Sequence, residues 1–257
     1  MEVTENENSF GDPLFDVRGK VYLVAGAGGG LGRTIVHGLA DRGASLVLLD
    51  VDEQSLEQVG SKYRDVRLHV ADITDEKALG NVVGMTETSF GRLDGAINAA
   101  GLLPIANAEE VDEALFRQCV DTNLTGAFLF SRVASRAMHN GGRVIHIASV
   151  SSHVANPGYA AYASSKAGLS QLVRVLAREW AVRNILVNAI GPALIETPLT
   201  REYLAQPDFR EAATSQIPLG RLGVPEDIVG PLLLLLGQGG AFITGQTIYV
   251  DGGRTVV

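Results

Sequence analysis

Short, continuously apolar runs alternate along the chain with longer stretches in which apolar residues recur every three or four positions. The runs fall at 21–25 (VYLVA), 45–50 (SLVLLD), 66–72 (VRLHVAD), 93–98 (LDGAIN), 143–149 (RVIHIAS), 184–190 (NILVNAI) and 246–253 (QTIYVDGG). Runs rich in Val, Ile and Leu with no polar alternation are strands covered on both faces, as in a parallel sheet. The intervening segments read as helices. One is 31–43 (LGRTIVHGLADRG), with Gly43 as its C′ residue, and another runs through 157–182. Right-handed crossovers then give an α/β fold: a doubly wound Rossmann-type domain with a seven-stranded parallel sheet flanked by helices. No linker or repeat divides residues 16–257. Residues 1–15 begin with the acidic, polar MEVTENENSF and read as a flexible tail.

Gly/Pro-rich breaks at 26–32, 99–104 and 191–198 each follow a strand. They belong at the carboxyl edge of the sheet, where such folds bind ligands. The first break, AGAGGGLG at 25–32, joins strand to helix. Its glycines allow close backbone approach, and the helix amino terminus beyond suits a pyrophosphate. The spacing is Gly26-x-x-x-Gly30-x-Gly32, or equally Gly26-x-x-Gly29-x-x-Gly32, but not G-x-G-x-x-G, whose sixth position is Leu31. Gly26, Gly28, Gly30 and Leu31 are the expected cofactor contacts in this turn.

Asp50 ends the second run, 24 residues after Gly26. There it suits the hydroxyls of an adenosine ribose and repels a 2′-phosphate. No Arg or Lys stands at Val51 or Asp52 or inside the glycine turn, and Arg33 reads as solvated. NAD is therefore expected over NADP. Asp50 also suits an N-cap for a helix starting near Glu53, and the two roles are compatible. In VADITD (70–75), Asp72 and Ile73 flank an adenine, or Asp72 caps the next helix; the sequence does not separate these. In INAAG (97–101), Ala99, Ala100 and Gly101 leave room for a cofactor. Asn98 fits a turn-fixing role better than a chemical one.

Tyr162 and Lys166 share one face of the 157–182 helix, one turn apart. A free phenol titrates near pH 10, so serving as a base near neutrality needs about three units of depression, roughly 4 kcal/mol. An ammonium and an oxidised nicotinamide are the expected sources. Ser149 closes the fifth strand thirteen residues before Tyr162, with Ser151 and Ser152 nearby. Asn123, in DTNLTGAFLF, is either the holder of a water chain toward Lys166 or a helix-bending side chain bonded to its own backbone. His153 and Tyr159 are substrate candidates alongside Ser151.

Together these residues resemble the short-chain dehydrogenase/reductase family over about residues 17–254. The matches are AGAGGGLG, INAAG, DTNLTGAF, Ser149, YASSK, GPALIETPL and ITGQTIYVDGG. The resemblance implies Tyr162 as general acid/base, Lys166 as ribose binder and pKa depressant, Ser149 as donor to the substrate oxygen and Asn123 as organiser of a proton relay. It also implies nicotinamide contacts from Pro192, Ile195 and Thr197. Family members are often tetramers paired through long helices and the last strand, so a homo-oligomer is expected. Ala25, Ala99 and Ala193 depart from the family's usual Thr, Asn and Gly, and none of these changes removes a catalytic group.

Composition narrows the remainder. Hydrophobic residues make up 46% of the 257 and charged residues 19%, with 30 glycines, as in a soluble fold with many tight turns. A net charge of −8 argues against nucleic acid or acidic membranes as partners. The longest apolar run, PLLLLLG at 231–237, is too short to span a bilayer and reads as a core-facing helix. The lone Cys119 forms no internal disulfide and reads as a buried filler, so a cytoplasmic protein is expected. His37, His69, His139 and His146 read as structural or surface residues, and no metal-ligand spacing appears.

The inferred reaction interconverts a secondary alcohol and a ketone. The favoured substrate is a polyol, sugar acid or hydroxy acid, selected by 102–104, 151–159 and a lid at about 194–215. Arg201 and Arg210 in the lid read as solvated rather than as carboxylate binders. An NADPH-dependent 3-oxoacyl reductase is the alternative enzyme. A non-catalytic dinucleotide-binding regulator is the alternative from another class.

Overall fold

The protein is described by a computed structural model over residues 12–257. Seven strands form one parallel sheet: β1 (Val21–Ala25), β2 (Ser45–Asp50), β3 (Val66–Val70), β4 (Gly95–Asn98), β5 (Gly142–Ile147), β6 (Ile185–Pro192) and β7 (Thr247–Val250). Their order is β3-β2-β1-β4-β5-β6-β7, with every neighbouring pair parallel. The chain winds outward from β1 in one direction and then from β4 in the other, so the order reverses between them. The crevice beyond the carboxyl ends of β1 and β4 is the fold's natural ligand site.

The continuous apolar runs are explained by two cores. Leu23 and Ala25 of β1 face one core and Tyr22 and Val24 the other; Val47 and Leu49 of β2 oppose Leu46 and Leu48 in the same way. In β1 and β2 the period-2 alternation is present, but both faces are dry, so no polar residue marks it; the edge strand β3 is largely exposed. The first core is covered by α3 (Glu76–Phe90), α5 (Ala127–Ala137) and α6 (Ala160–Trp180). The second is covered by α1 (Gly30–Ala40), α2 (Glu53–Gly60) and α9 (Val229–Leu236). Shorter helices are α4 (Glu113–Val120), α7 (Arg201–Leu204) and α8 (Pro207–Ser215).

Local chemistry sets the ends. Ile35, Val36 and Leu39 form the buried stripe of α1, each removed from water at a gain of about 1.5–3 kcal/mol. Beyond Ala40 the chain turns through Gly43, at φ +79°, the left-handed position anticipated for it. In α6, residues 161, 165, 169, 173 and 177 are all buried, which fixes its rotation and aims Tyr162 and Lys166 along an adjoining edge. Between α4 and α5 the helix widens into a π segment, Asp121–Gly126, which carries Asn123.

At β3, β4, β5 and β7 the sequence runs overreach the observed strands, since residues 71–72, 93–94, 148–149, 246 and 251–253 lie outside the ladder. The expected tail meets the described residues only at 12–15. Pro13–Phe15 form a 3-10 turn, and the Asp12 carboxylate accepts the Leu14 N–H at 3.0 Å. A Cβ at Gly239 would stand 3.1 Å from the Leu14 carbonyl oxygen, so this turn is seated just beyond the end of α9. The rest of the tail, 1–11, lies outside the described residues. Among the described residues, no helix is long and apolar enough to cross a membrane.

Candidate active site

The 26–32 turn is compressed from three sides. Gly26 has φ +70°, and a Cβ there would stand 2.5 Å from the Ala100 nitrogen. At Gly32 a Cβ would overlap the Gly26 carbonyl oxygen, and at Gly30 it would stand 2.7 Å from Thr197 Cβ. These contacts bring the loops after β1, β4 and β6 together at one edge, which only glycine permits.

Asp50 binds this turn directly. Its Oδ2 accepts the Gly28 N–H at 2.8 Å and its Oδ1 accepts the Asp52 N–H at 3.1 Å. The N-cap of α2 is Asp52, which accepts from Gln54 and Ser55, so the capping alternative for Asp50 is corrected. Arg33 is not simply solvated. Its Nε donates to the Gly28 carbonyl at 2.7 Å and its Nη2 to Gln58 at 3.2 Å, which places a guanidinium across the turn. Val51 is exposed.

Asp72 caps no helix: it accepts from the Thr74 N–H and hydroxyl at 2.8 and 2.7 Å, while Asp75 caps α3. Ile73 is buried in the first core, and a Cβ at Gly126 would stand 2.8 Å from it. Asn98 has the turn-fixing role expected of it. Its Oδ1 accepts the Ala100 N–H at 3.0 Å, and its Nδ2 lies 3.4 Å from His146 Nδ1. On the far side, His146 Nε2 lies 2.8 Å from the Ser131 hydroxyl, which donates to the Ala127 carbonyl. Since Ser131 spends its proton there, His146 donates from Nε2 and accepts at Nδ1. Burial pushes this imidazole down to about 3, with the Lys166 charge adding to the effect.

At the other end of the crevice, Lys166 is 4% exposed and donates to the Ile147 carbonyl at 2.8 Å. Its Nζ lies 5.7 Å from the centroid of the Tyr162 ring. Burial pushes its pKa down to about 8. The expected depression of Tyr162 draws on the ammonium and an oxidised nicotinamide together, and the protein's own groups act the other way. Burial pushes the phenol up to about 12, and the hydrogen bond from Ser149 opposes that only in part.

Ser149 is buried, and its Oγ accepts the Ser151 N–H at 3.0 Å. Asn123 neither bonds its own backbone nor touches Lys166 by a hydrogen bond. Its amide brackets Leu102, accepting the N–H at 2.8 Å and donating to the carbonyl at 2.9 Å, and also donates to Ser165 at 2.9 Å. Ser165 in turn donates to the Tyr162 carbonyl at 2.7 Å. Cys119 is fully buried beside this amide, at 3.4 Å, and burial raises its thiol pKa.

A cavity of about 530 Å³ joins these parts. Leu31, Ala99, Gly101, Ser149, Ser151, Tyr159, Tyr162, Lys166, Pro192, Ile195 and Thr197 line it with Gly30. Gly26, Gly28, Asp50, Val51, Asp72, Ile73, Asn98, Ala100 and Asn123 lie outside its lining. His153 is also outside: it is exposed, with its ring 6.0 Å from that of Tyr249, so its candidacy as a cavity residue is corrected. Arg201 is exposed, and Arg210 pairs with Glu196 at 2.7 Å. The lining also holds Asn156, from within the expected 151–159 segment, and Gln216 and Arg254, which the sequence did not single out. Ser165, from the YASSK motif, lies behind it, bonded to Asn123, and Arg254 follows the last strand with no pattern to mark it. Among the described residues, no three His, Cys, Asp or Glu side chains converge as metal ligands would.

A family profile described as enoyl-(acyl carrier protein) reductase matches residues 26–255. The NAD-dependent glycerol dehydrogenase of Listeria innocua is 34% identical over 250 residues, covering 95% of this chain and 97% of the relative. A 3-oxoacyl-[acyl-carrier-protein] reductase of Thermotoga maritima is 32% identical over 246 residues, covering 93% and 99%. A gluconate 5-dehydrogenase from Burkholderia cenocepacia, solved with NADP and tartrate, superposes with a TM-score of 0.91 at 28% identity, covering 95% and 98%. The chain belongs to the short-chain dehydrogenase/reductase family and is an oxidoreductase of the class that acts on CH–OH groups.

Proposed function

We propose that the protein interconverts a polar secondary alcohol and its ketone with NAD(H), using Tyr162 as proton donor and acceptor. The observation that carries this reading is the convergence of Ser149, Tyr162 and Lys166 on one cavity that also reaches the glycine turn.

A dinucleotide fits the residues present. Gly29, Gly30, Leu31 and Gly32 line the cavity and offer it backbone at the start of α1. Gly26, Gly28, Gly30 and Leu31 would hold its phosphates and Asp50 its ribose; Val51, Asp72 and Ile73 would border the adenine. Asn98, Ala99, Ala100 and Gly101 would line its middle, Lys166 the second ribose, and Pro192, Ile195 and Thr197 the nicotinamide half. When bound, it supplies the redox capacity, taking up or returning two electrons and one hydrogen at the carbinol carbon.

Ser149, hydrogen-bonded to the phenol, orients the substrate oxygen. Tyr162, its pKa high, is protonated near neutrality and gives its proton to a ketone oxygen; alcohol oxidation therefore speeds up as pH rises. Asn123 anchors Leu102 and, through Ser165, the backbone of Tyr162.

NAD is favoured over NADP because the Asp50 carboxylate stands at the ribose position. Arg33, beside the turn, is engaged with Gly28 and Gln58. By their names, the Listeria relative uses NAD and the Burkholderia enzyme was solved with NADP. A homotetramer paired through α6 and β7, in the cytoplasm, completes the reading; exposed Val175 and half-exposed β7 are consistent with such pairing. Screening secondary alcohols and ketones with both cofactors, at the nicotinamide absorbance, tests it. Turnover of polar alcohols with NAD is expected. Binding of NADH without turnover of any substrate would mean a regulator, and preference for NADPH with 3-oxoacyl substrates would mean the alternative enzyme.

A further inference from the structure

We propose that Arg254, oriented by Asn156, binds a carboxylate on the substrate, making the substrate a hydroxy acid or sugar acid rather than a neutral polyol. This rests on reading the cavity as the site of alcohol–ketone interconversion, and it narrows that reading to one class.

The charge of the cavity is the first observation. The chain carries a net charge of −8, yet among the described residues no Asp or Glu lines the cavity. Among the described residues, the charged ones in the lining are Lys166 and Arg254. Lys166 is committed to Ile147 beside Tyr162. Arg254 is therefore the cation left to face the substrate.

The second observation is how little Arg254 binds. Its Nη2 donates to Asn156 Oδ1 at 3.1 Å, a neutral partner, and it forms no ion pair among the described residues. Of the arginines in and after the lid, Arg210 pairs with Glu196 and Arg221 with Asp227, while Arg201 is exposed to solvent away from the cavity lining. A guanidinium has five N–H donors in a fixed fork that matches a carboxylate. One bond to an amide leaves most of that fork unused.

The third is that Arg254 is held in place. The nearby Asp251 spends its carboxylate on the turn itself, accepting from the Gly253 N–H at 3.0 Å, the Thr255 N–H at 2.8 Å and the Thr255 hydroxyl at 2.8 Å. The Leu219 N–H donates to the Gly252 carbonyl at 3.1 Å, which ties the turn to the segment after α8. Asn156, for its part, accepts the Tyr159 N–H at its carbonyl, at 3.3 Å. The loop that orients Arg254 thus also leads into the helix carrying Tyr162. Apolar neighbours such as Leu194, Phe209 and Ile217 share the lining, and in such a partly dry wall an ion pair is stronger than in water. A single cation suits a carboxylate monoanion better than a phosphate dianion.

The test is binding of matched acid and alcohol pairs: glycerate and glycerol, gluconate and glucitol, galactonate and galactitol. Each is titrated calorimetrically into protein saturated with NADH or NADPH, whichever binds tighter, so that no alcohol is oxidised. At least one acid is expected to bind about tenfold or more tighter than its neutral partner, as a charged hydrogen bond implies. In R254Q that preference is lost while the neutral partner binds as before, and in R254K it is partly kept. Equal binding within every pair, or a preference that survives R254Q, overturns the proposal. Turnover is read separately with the oxidised cofactor. Acids that bind through Arg254 and are never oxidised would contradict the proposed reaction and leave the carboxylate site standing.

Discussion

Gly101 and Lys166 meet so closely that a β-carbon on the glycine would stand 3.4 Å from the lysine Nζ, and 3.1 Å from Asn123 Oδ1. The loop after β4, the π segment and α6 thus converge on one point. Gly101→Ala is expected to displace the ammonium or the Asn123 amide by a few tenths of an ångström. Turnover should fall by about tenfold or more, since small misplacements at a reacting centre are costly. The melting temperature should stay within a few degrees of wild type. Steady-state kinetics beside a thermal melt checks both.

The carboxylate of Asp50 is shared between the Gly28 and Asp52 N–H groups. Asp50→Ser removes the charge that disfavours a 2′-phosphate and leaves Arg33 beside the turn. Affinity for NADH should fall by about tenfold, in line with about 1.4 kcal/mol per tenfold change, and the ratio of NADH to NADPH affinity should shift toward NADPH. Fluorescence titration with the two reduced cofactors measures this directly.

His146 makes stability depend on pH. Its folded pKa, about 3, lies below the unfolded value of 6.5. Between those values the unfolded chain binds a proton that the folded chain refuses, so stability falls as pH drops below 6.5. The slope approaches about 1.4 kcal/mol per pH unit. His146→Gln keeps a donor for Ser131 and an acceptor for Asn98 but cannot titrate. Urea unfolding at pH 6.5 and pH 5 should show the wild type losing more stability than this variant.

What the sequence made legible, and what it hid, follows physical lines. The strands were readable because a sheet dry on both faces needs unbroken apolar runs, such as VYLVA and SLVLLD. Helical spacing alone placed Tyr162 beside Lys166. Spacing reports proximity but not desolvation, and burial by itself raises the Tyr162 phenol. The π segment was unreadable because widening one turn leaves the apolar pattern nearly intact. His153 and Asn156 lie three residues apart in one loop; which of them faces the cavity depends on how that loop closes onto Arg254, a contact spanning 98 residues. No local pattern encodes such a contact.

The most direct test of the account is Tyr162→Phe, assayed for both turnover and NADH binding. Removing the hydroxyl should lower turnover about 100-fold or more, the usual scale for a lost general acid or base. The NADH dissociation constant should stay within about threefold of wild type. Near-normal turnover in this variant would contradict the assignment of Tyr162 as the proton donor and acceptor.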